Sequence, residues 1–207
     1  MILGIDTATP STAVAFWSPD QAVERRDDPP PGGRPAHASR LLALVEEVVD
    51  WDAAERVAVG VGPGGFTGLR IGIATARALA QARDLPLVGV SSLAALAAPV
   101  DGPVVAVIDA RRGEVFAASP GAFEPVALAP ADLGARIEPG TIAVGDGAVR
   151  FREELERAGA VVPADGSPLH RVSAIEVCML GATGEPAGRD SLLPDYRREP
   201  DAKPRQQ

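Results

Sequence analysis

The sequence predicts an α/β fold with parallel strand neighbours, and three observations carry that prediction. Apolar runs of strand length alternate with helically spaced stripes over residues 38–98, which implies strands joined by right-handed crossovers. A glycine-rich block, Gly60-Val61-Gly62-Pro63-Gly64-Gly65-Phe66-Thr67-Gly68, links one such strand to a long helix. After residue 103 a second strand–turn–strand pattern echoes the one that opens the chain.

Residues 2–7 read as a short apolar strand. Residues 12–17 read as its antiparallel neighbour after the turn signal Thr9-Pro10-Ser11. A third strand is expected at 21–26. Residues 27–35 contain Pro29-Pro30-Pro31-Gly32-Gly33 and predict an exposed loop, because proline lacks a donor and fixes φ. Over 38–50, Leu41, Leu44, Val45, Val48 and Val49 keep helical spacing, and Leu42 widens the stripe beyond one face, so burial on two sides is expected. Residues 57–61 predict a buried strand, 62–67 a tight turn, 68–83 a helix, 87–90 a strand and 93–98 a short alanine-rich helix.

The Pro- and Gly-bearing stretch 99–103 is the expected boundary, giving an N-terminal lobe at 1–100, a smaller C-terminal lobe at 101–193 and a loose tail from 194 to 207. In the second lobe, 104–109 and 114–119 predict a hairpin around Ala110-Arg111-Arg112-Gly113, with a third strand at 123–128. Helices are expected at 130–136, 151–158 and 173–180, and a strand at 141–144.

Composition narrows the function. With 207 residues, 46% hydrophobic and 23% charged, the chain has the content of a folded globular protein. Its one cysteine, Cys178, forms no internal disulfide and no cysteine-based zinc site, which favours a reducing compartment. The first residues meet an acid at Asp6 without a basic leader, and no apolar run approaches the roughly 20 residues that span a bilayer. A cytoplasmic protein without membrane contact is expected. The net charge of −8 opposes a large phosphate-binding footprint, so any RNA would be held mostly by another chain. The richness in Pro and Gly, and in Arg over Lys, reads as genome-level bias as much as design.

The glycine block is the densest candidate for chemistry. Glycines after a strand permit a sharp turn and present unpaired amides at the following helix entrance, so Gly64, Gly65, Phe66 and Thr67 are candidate anion- or nucleotide-proximal residues. A tight structural turn is the alternative. No lysine follows Gly68, and the glycine spacing is not that of a dinucleotide fingerprint. Gly68, Gly72, Ala76 and Ala80 recur every fourth residue and form a ridge of small side chains that another helix could approach, inside the fold or across a subunit interface. Leu69 and Ile73 are expected to face the sheet, and Arg70 and Arg77 to form a polar edge.

Asp6 and Asp109 sit in the two hairpins, either capping their turns or approaching a metal. Arginines at 111 and 112 stand where close phosphate approach would favour glycine. His37 opens the first long helix with Leu41, not a second histidine, one turn on, and a lone histidine more often hydrogen-bonds or lines an interface than ligates metal. No metal is assigned. Ser39, Ser91 and Ser92 have no recognisable base near them in sequence.

On Ile2-Leu3-Gly4-Ile5-Asp6-Thr7-Ala8-Thr9, Gly62 through Gly72, Asp109-Ala110-Arg111-Arg112-Gly113-Glu114-Val115 and Pro194-Asp195-Tyr196-Arg197, the chain resembles the TsaB (YeaZ) family, which supports threonylcarbamoyladenosine formation on tRNA. Gly65 replaces a usual serine, and His37-Ala38-Ser39-Arg40 keeps the family's His-Ser-Glu only in part. The resemblance implies two actin-like (ribonuclease H-like) lobes, each a mixed sheet with flanking helices, the second reduced. It also implies a non-catalytic assembly subunit that stabilises and activates a related transferase, TsaD, with a TsaE-like ATPase as third partner and a homodimer when alone. ATP and a divalent metal would belong to the partner complex, and tRNA would be met indirectly. The two long helices would form the partner surface through His37, Leu41, Leu42, Val45, Val48, Gly68, Arg70, Gly72, Ile73, Ala76, Arg77 and Ala80. The competing readings are an independent actin-like phosphotransferase or peptidase, and a self-associating binding protein.

Overall fold

The computed structural model describes residues 1–30, 33–188 and 191–198. Strands β1 (Ile2–Asp6), β2 (Thr12–Ser18) and β3 (Gln21–Asp27) form an antiparallel meander. The chain then passes through α1 (His37–Val48) to β4 (Arg56–Gly62), through α2 (Phe66–Ala82) to β5 (Leu87–Ser91), and β4 and β5 join the sheet in parallel. The order is β3-β2-β1-β4-β5.

After the short helix α3 (Ser92–Ala97) the arrangement repeats with fewer parts. Strands β6 (Val104–Arg111), β7 (Glu114–Ser119) and β8 (Phe123–Leu128) meander, α4 (Pro130–Gly134) follows, and β9 (Ile142–Val144) adds in parallel, in the order β8-β7-β6-β9. Helices α5 (Asp146–Arg150), α6 (Arg152–Arg157) and α7 (Ala174–Thr183) complete the regular structure among the described residues, with one 3₁₀ turn at Pro168–His170. The two mixed sheets with flanking helices are the architecture expected from the sequence, and the chain passes from one sheet to the other between Ser91 and Val104.

The alternation of strand side chains fixes the layers. One face of the first sheet presents Leu3, Ile5, Val14, Phe16, Val57 and Val59 to α1 and α2, and all six are buried there. The opposite face is built from Gly4, Ala13, Ala15 and Ala58, small enough for α7 to lie close; a Cβ on Gly4 would overlap Cys178 Sγ and the Ala174 carbonyl. Helices α3 and α7 share one core with residues of both sheets. A third cluster, including Val105, Val107, Leu133 and Leu155, lies on the far side of the second sheet.

Helix α7 lies within the span expected for the second lobe yet packs on strands β1, β2 and β4 of the first. First-lobe charges hold both its ends. Glu24 accepts from the Ala174 amide at 2.5 Å and from the Ser173 hydroxyl at 3.2 Å, while Arg56 donates to the carbonyls of Gly181, Ala182 and Gly184 at 2.7–3.1 Å. An anion at the N-terminus and a cation at the C-terminus each favour the helix dipole. Burial pushes the Cys178 thiol up, so it is an inert core residue as expected. No helix among the described residues is long and apolar enough to cross a membrane.

Two expectations are corrected. The tail is not loose where it is described: Leu192 is buried, the Asp195 amide donates to the Val61 carbonyl at 2.8 Å, and Tyr196 packs on α2. Lys203 and Arg205 lie outside the described residues. Helix α5 was not predicted, because five residues are too few to display a 3.6-residue period.

Candidate functional site

The two lobes face each other across a cleft of about 740 Å³. Its first-lobe wall is the β1–β2 turn, the start of α1 and the entrance of α2; its second-lobe wall is the β6–β7 corner with Asp146; residues 195–198 of the tail run along it. The glycine block therefore opens onto the cleft, and the sequence placed it at a helix entrance correctly.

The small-residue ridge explains how that entrance is fixed. A Cβ on Gly68 would overlap the Thr7 carbonyl oxygen, and one on Gly72 would overlap Thr7 Oγ1. The Thr7 hydroxyl donates to the Gly68 carbonyl at 2.8 Å, and the Gly65 amide to the Ala8 carbonyl at 2.7 Å. The ridge thus seats α2 on its own lobe's first hairpin.

The orientation of the proposed partner-surface residues follows. Leu41, Val45, Val48, Ile73, Ala76 and Ala80 are 0–9% exposed and form the first lobe's own core, and Gly68, Gly72 and His37 are buried with them. Their side chains belong to the lobe's own core, where the stripe on α1 meets the sheet and α2, whereas Leu42, expected to extend that stripe to a second buried side, is exposed. Arg77 is half-buried and donates to the Leu192 carbonyl. Of the named residues on α1 and α2, Leu42 (56% exposed) and Arg70 face solvent. Gly65, Phe66 and Thr67 are exposed at the cleft mouth and Gly64 is half-buried.

Arg70 anchors a small cluster there. Its guanidinium lies 3.7 Å from the Phe66 ring centroid, its Nε donates to the Tyr196 hydroxyl at 3.0 Å, and the Phe66 and Tyr196 rings stack with centroids 5.2 Å apart. Cation–π and aromatic contacts of this type add to the area they bury. Sequence reading placed Tyr196 in a motif and gave it no contact, because its partners lie more than 120 residues away.

The acids of the cleft are engaged by the protein. Asp6 is 1% exposed; its Oδ1 accepts the Ala8 amide at 2.9 Å and its Oδ2 the Ser92 hydroxyl at 2.6 Å. Burial raises its carboxyl above the usual carboxylate range, with the Ser92 and Ala8 bonds pulling the other way. Asp109 caps its own turn by accepting the Arg111 amide at 2.8 Å, and its Oδ2 lies 3.2 Å from Arg111 and 3.3 Å from Arg150. Asp146 accepts the Asp109 amide at 3.1 Å, and burial pushes its carboxyl up as well. The Nδ1 of His37 meets the Thr12 hydroxyl at 2.8 Å, and burial lowers its basicity against the opposing charge of Asp27. Both oxygens of Asp6 are turned to protein donors, and two arginines hold Asp109. Ser92 was weighed in the sequence only as a nucleophile; its partner is an acid 86 residues away, which no local pattern reveals.

Comparison with known proteins agrees with this architecture. The family model described as TsaD, tRNA N6-adenosine threonylcarbamoyltransferase, matches residues 30–133. An uncharacterised protein of Mycobacterium tuberculosis is 35% identical over 98% of this chain and 94% of its own. The tRNA threonylcarbamoyladenosine biosynthesis protein TsaB of Escherichia coli is 39% identical over 125 residues, which are 56% of this chain and 52% of that protein. A solved structure of a Pseudomonas aeruginosa protein, described as similar to the peptidase YeaZ, superposes with a TM-score of 0.74 at 28% identity, covering 95% of this chain and 99% of that one. With the glycine block seated on the first hairpin and the closing Pro-Asp-Tyr-Arg segment laid against it, the chain belongs to the TsaB (YeaZ) family of tRNA threonylcarbamoyladenosine biosynthesis proteins, which shares a domain with the TsaD transferase.

Proposed function

We propose that this chain is a non-catalytic assembly subunit that pairs with a TsaD-like relative, stabilises it and activates its transfer of threonylcarbamoyl to the adenosine beside the tRNA anticodon. One observation carries the reading. Among the described residues the exposed large apolar side chains are Leu42, Phe66, Val161, Met179, Leu193 and Tyr196, and four of the six lie on α1, α2 and the tail segment laid along α2. Large apolar groups gathered on one side of a lobe favour a protein partner. The partner surface would be the outward side of the helix pair, with Leu42 and Arg70 in it and the ridge beneath it.

The engaged acids support assigning the chemistry to the partner, together with any ATP and divalent metal. A TsaE-like ATPase would be the third component, and tRNA would be reached through the complex in the cytoplasm. Without its partner the same surface would close on a second copy. The amides of Phe66 and Thr67 at the entrance of α2 would supply part of an anion seat that the assembled pair would complete, the Gly65 amide being bonded to Ala8.

Reconstitution with purified partners tests the proposal: modification should require this chain, and full activity without it would overturn the reading in favour of an independent phosphotransferase or peptidase. A stable specific pair should bury about 1,200–2,000 Å² in total. Leu42→Glu should therefore weaken association at least about tenfold while leaving thermal unfolding unchanged. Undiminished pairing by that variant would remove the helix face from the proposal.

A further inference from the structure

The tail makes contacts of two different kinds as it runs along the cleft. On the first lobe, Leu192 is buried against Gly89, where a Cβ would overlap its Cδ1, and its carbonyl accepts from Arg77. The Asp195 amide bonds to Val61, and Tyr196 stacks on Phe66 and bonds to Arg70. On the second lobe, Arg198 pairs with Glu114 at 3.0 Å, with their side chains 31% and 42% exposed. Glu114 opens β7, directly after the tight turn at Arg111-Arg112-Gly113, where all three residues have positive φ. Between the two attachments, Asp195 to Arg198 border the cleft opposite Asp109, Arg111 and Phe116.

We propose that residues 192–198 are a latch across the mouth of the cleft, anchored permanently to the first lobe and released from the second at Arg198–Glu114, so that the tail gates the cleft beside the 111–114 turn. The asymmetry is physical. The first-lobe end combines apolar burial, a backbone hydrogen bond and an aromatic stack. A half-exposed ion pair is worth little and weakens with salt. The lobes share one core around α3 and α7 that takes in Ile108, Ala110 and Phe116 of β6 and β7, so the part left free to move when the latch opens is the exposed turn at 111–113. This inference does not depend on the partner proposed above.

Hydrogen exchange on the full chain alone tests it. At low salt, Arg198→Glu should speed exchange of the Arg111 amide and the rest of the 111–114 turn about two- to fivefold, the range an exposed ion pair supplies, and leave the Asp195 amide unchanged. The double variant Arg198→Glu with Glu114→Arg should restore the original rate. In the unaltered chain, raising salt to about 0.5 M, where screening acts within a few ångströms, should reproduce the acceleration, and Arg198→Glu should abolish that salt response. Turn exchange indifferent to both charge reversal and salt would overturn the latch. So would acceleration of the Asp195 amide to the same degree, since the whole tail would then be leaving together.

Discussion

The β1–β2 corner of the first lobe and the β6–β7 corner of the second hold equivalent places in two sheets of matching strand order and both bury an aspartate side chain, yet they satisfy it with different partners. Asp6 is sealed in, bonded to Ser92 and the Ala8 amide and covered by the packing around Gly60, where a Cβ would overlap its Oδ2. Asp109, its side chain 5% exposed, is held instead by arginines whose own side chains are more than half exposed. The first corner is welded to a long helix through glycine contacts. The second is a surface turn braced by ion pairs. One wall of the cleft is thus fixed by close backbone contacts, and the other carries a turn whose ion pairs reach solvent.

The largest expected effect would break the rigid side. Gly68→Ala gains helix propensity of about 1 kcal/mol but drives a methyl group into the Thr7 carbonyl, an overpacking of about 3 kcal/mol or more against backbone that cannot turn aside. The net destabilisation of about 2 kcal/mol should appear as a lower urea midpoint. Gly147→Ala is the matched test in the second lobe. Its Cβ would stand 2.9 Å from the Ile108 carbonyl carbon and from Val107 Cγ1, and α5 is a five-residue helix able to shift, so a loss of about 1 kcal/mol is expected. Equal losses would erase the contrast between the walls.

Asp6 provides the next effect, and its sign follows from burial. Its folded pKa is raised above the unfolded value of about 4, so its contribution to stability is full below that value and is lost as pH rises through the raised folded pKa. Each unit of separation corresponds to about 1.4 kcal/mol. Asp6→Asn keeps the acceptor for the Ala8 amide and can donate to Ser92 Oγ once that hydroxyl rotates. The variant should flatten the fall in stability as pH rises above about 4 and be the more stable protein at neutral pH and above; Asp146, also raised, keeps a share of the slope. Denaturant midpoints across that range measure it. A steeper slope in the variant would mean that Asp6 is ionised and supported in the fold.

Much of this contrast was legible in the sequence and part was not, for definite reasons. Strand alternation, the turn at Thr9-Pro10-Ser11 and the helical spacing of Leu41 to Val48 are local, so the elements and their lobes emerged. The facing of Gly68, Gly72, Ala76 and Ala80 was undecidable, because a small-residue ridge admits any close neighbour, and the neighbour here is Thr7, 61 residues from Gly68 in sequence. Helix α7 was found as a helix but not as a first-lobe element, since the groups that fix it, Glu24 and Arg56, lie more than 120 residues upstream. The tail seemed loose because its anchors at Val61, Arg70 and Glu114 are scattered along the chain.

The smallest effect should come from Asp109→Asn. The amide retains an oxygen for the Arg111 amide, so the turn keeps its cap, and only the attraction to Arg111 and Arg150 is lost. Those arginine side chains are 62% and 52% exposed against 5% for Asp109, so water screens the arginine ends and the pairs together contribute about 1 kcal/mol. The midpoint should fall by no more than that, and high salt should shrink the difference by screening the pairs in the unaltered protein. A loss of about 3 kcal/mol that salt leaves untouched would place Asp109 in a buried network like that of Asp6. The second corner would then be as rigid as the first, and the difference between the two walls would have to be sought in the tail alone.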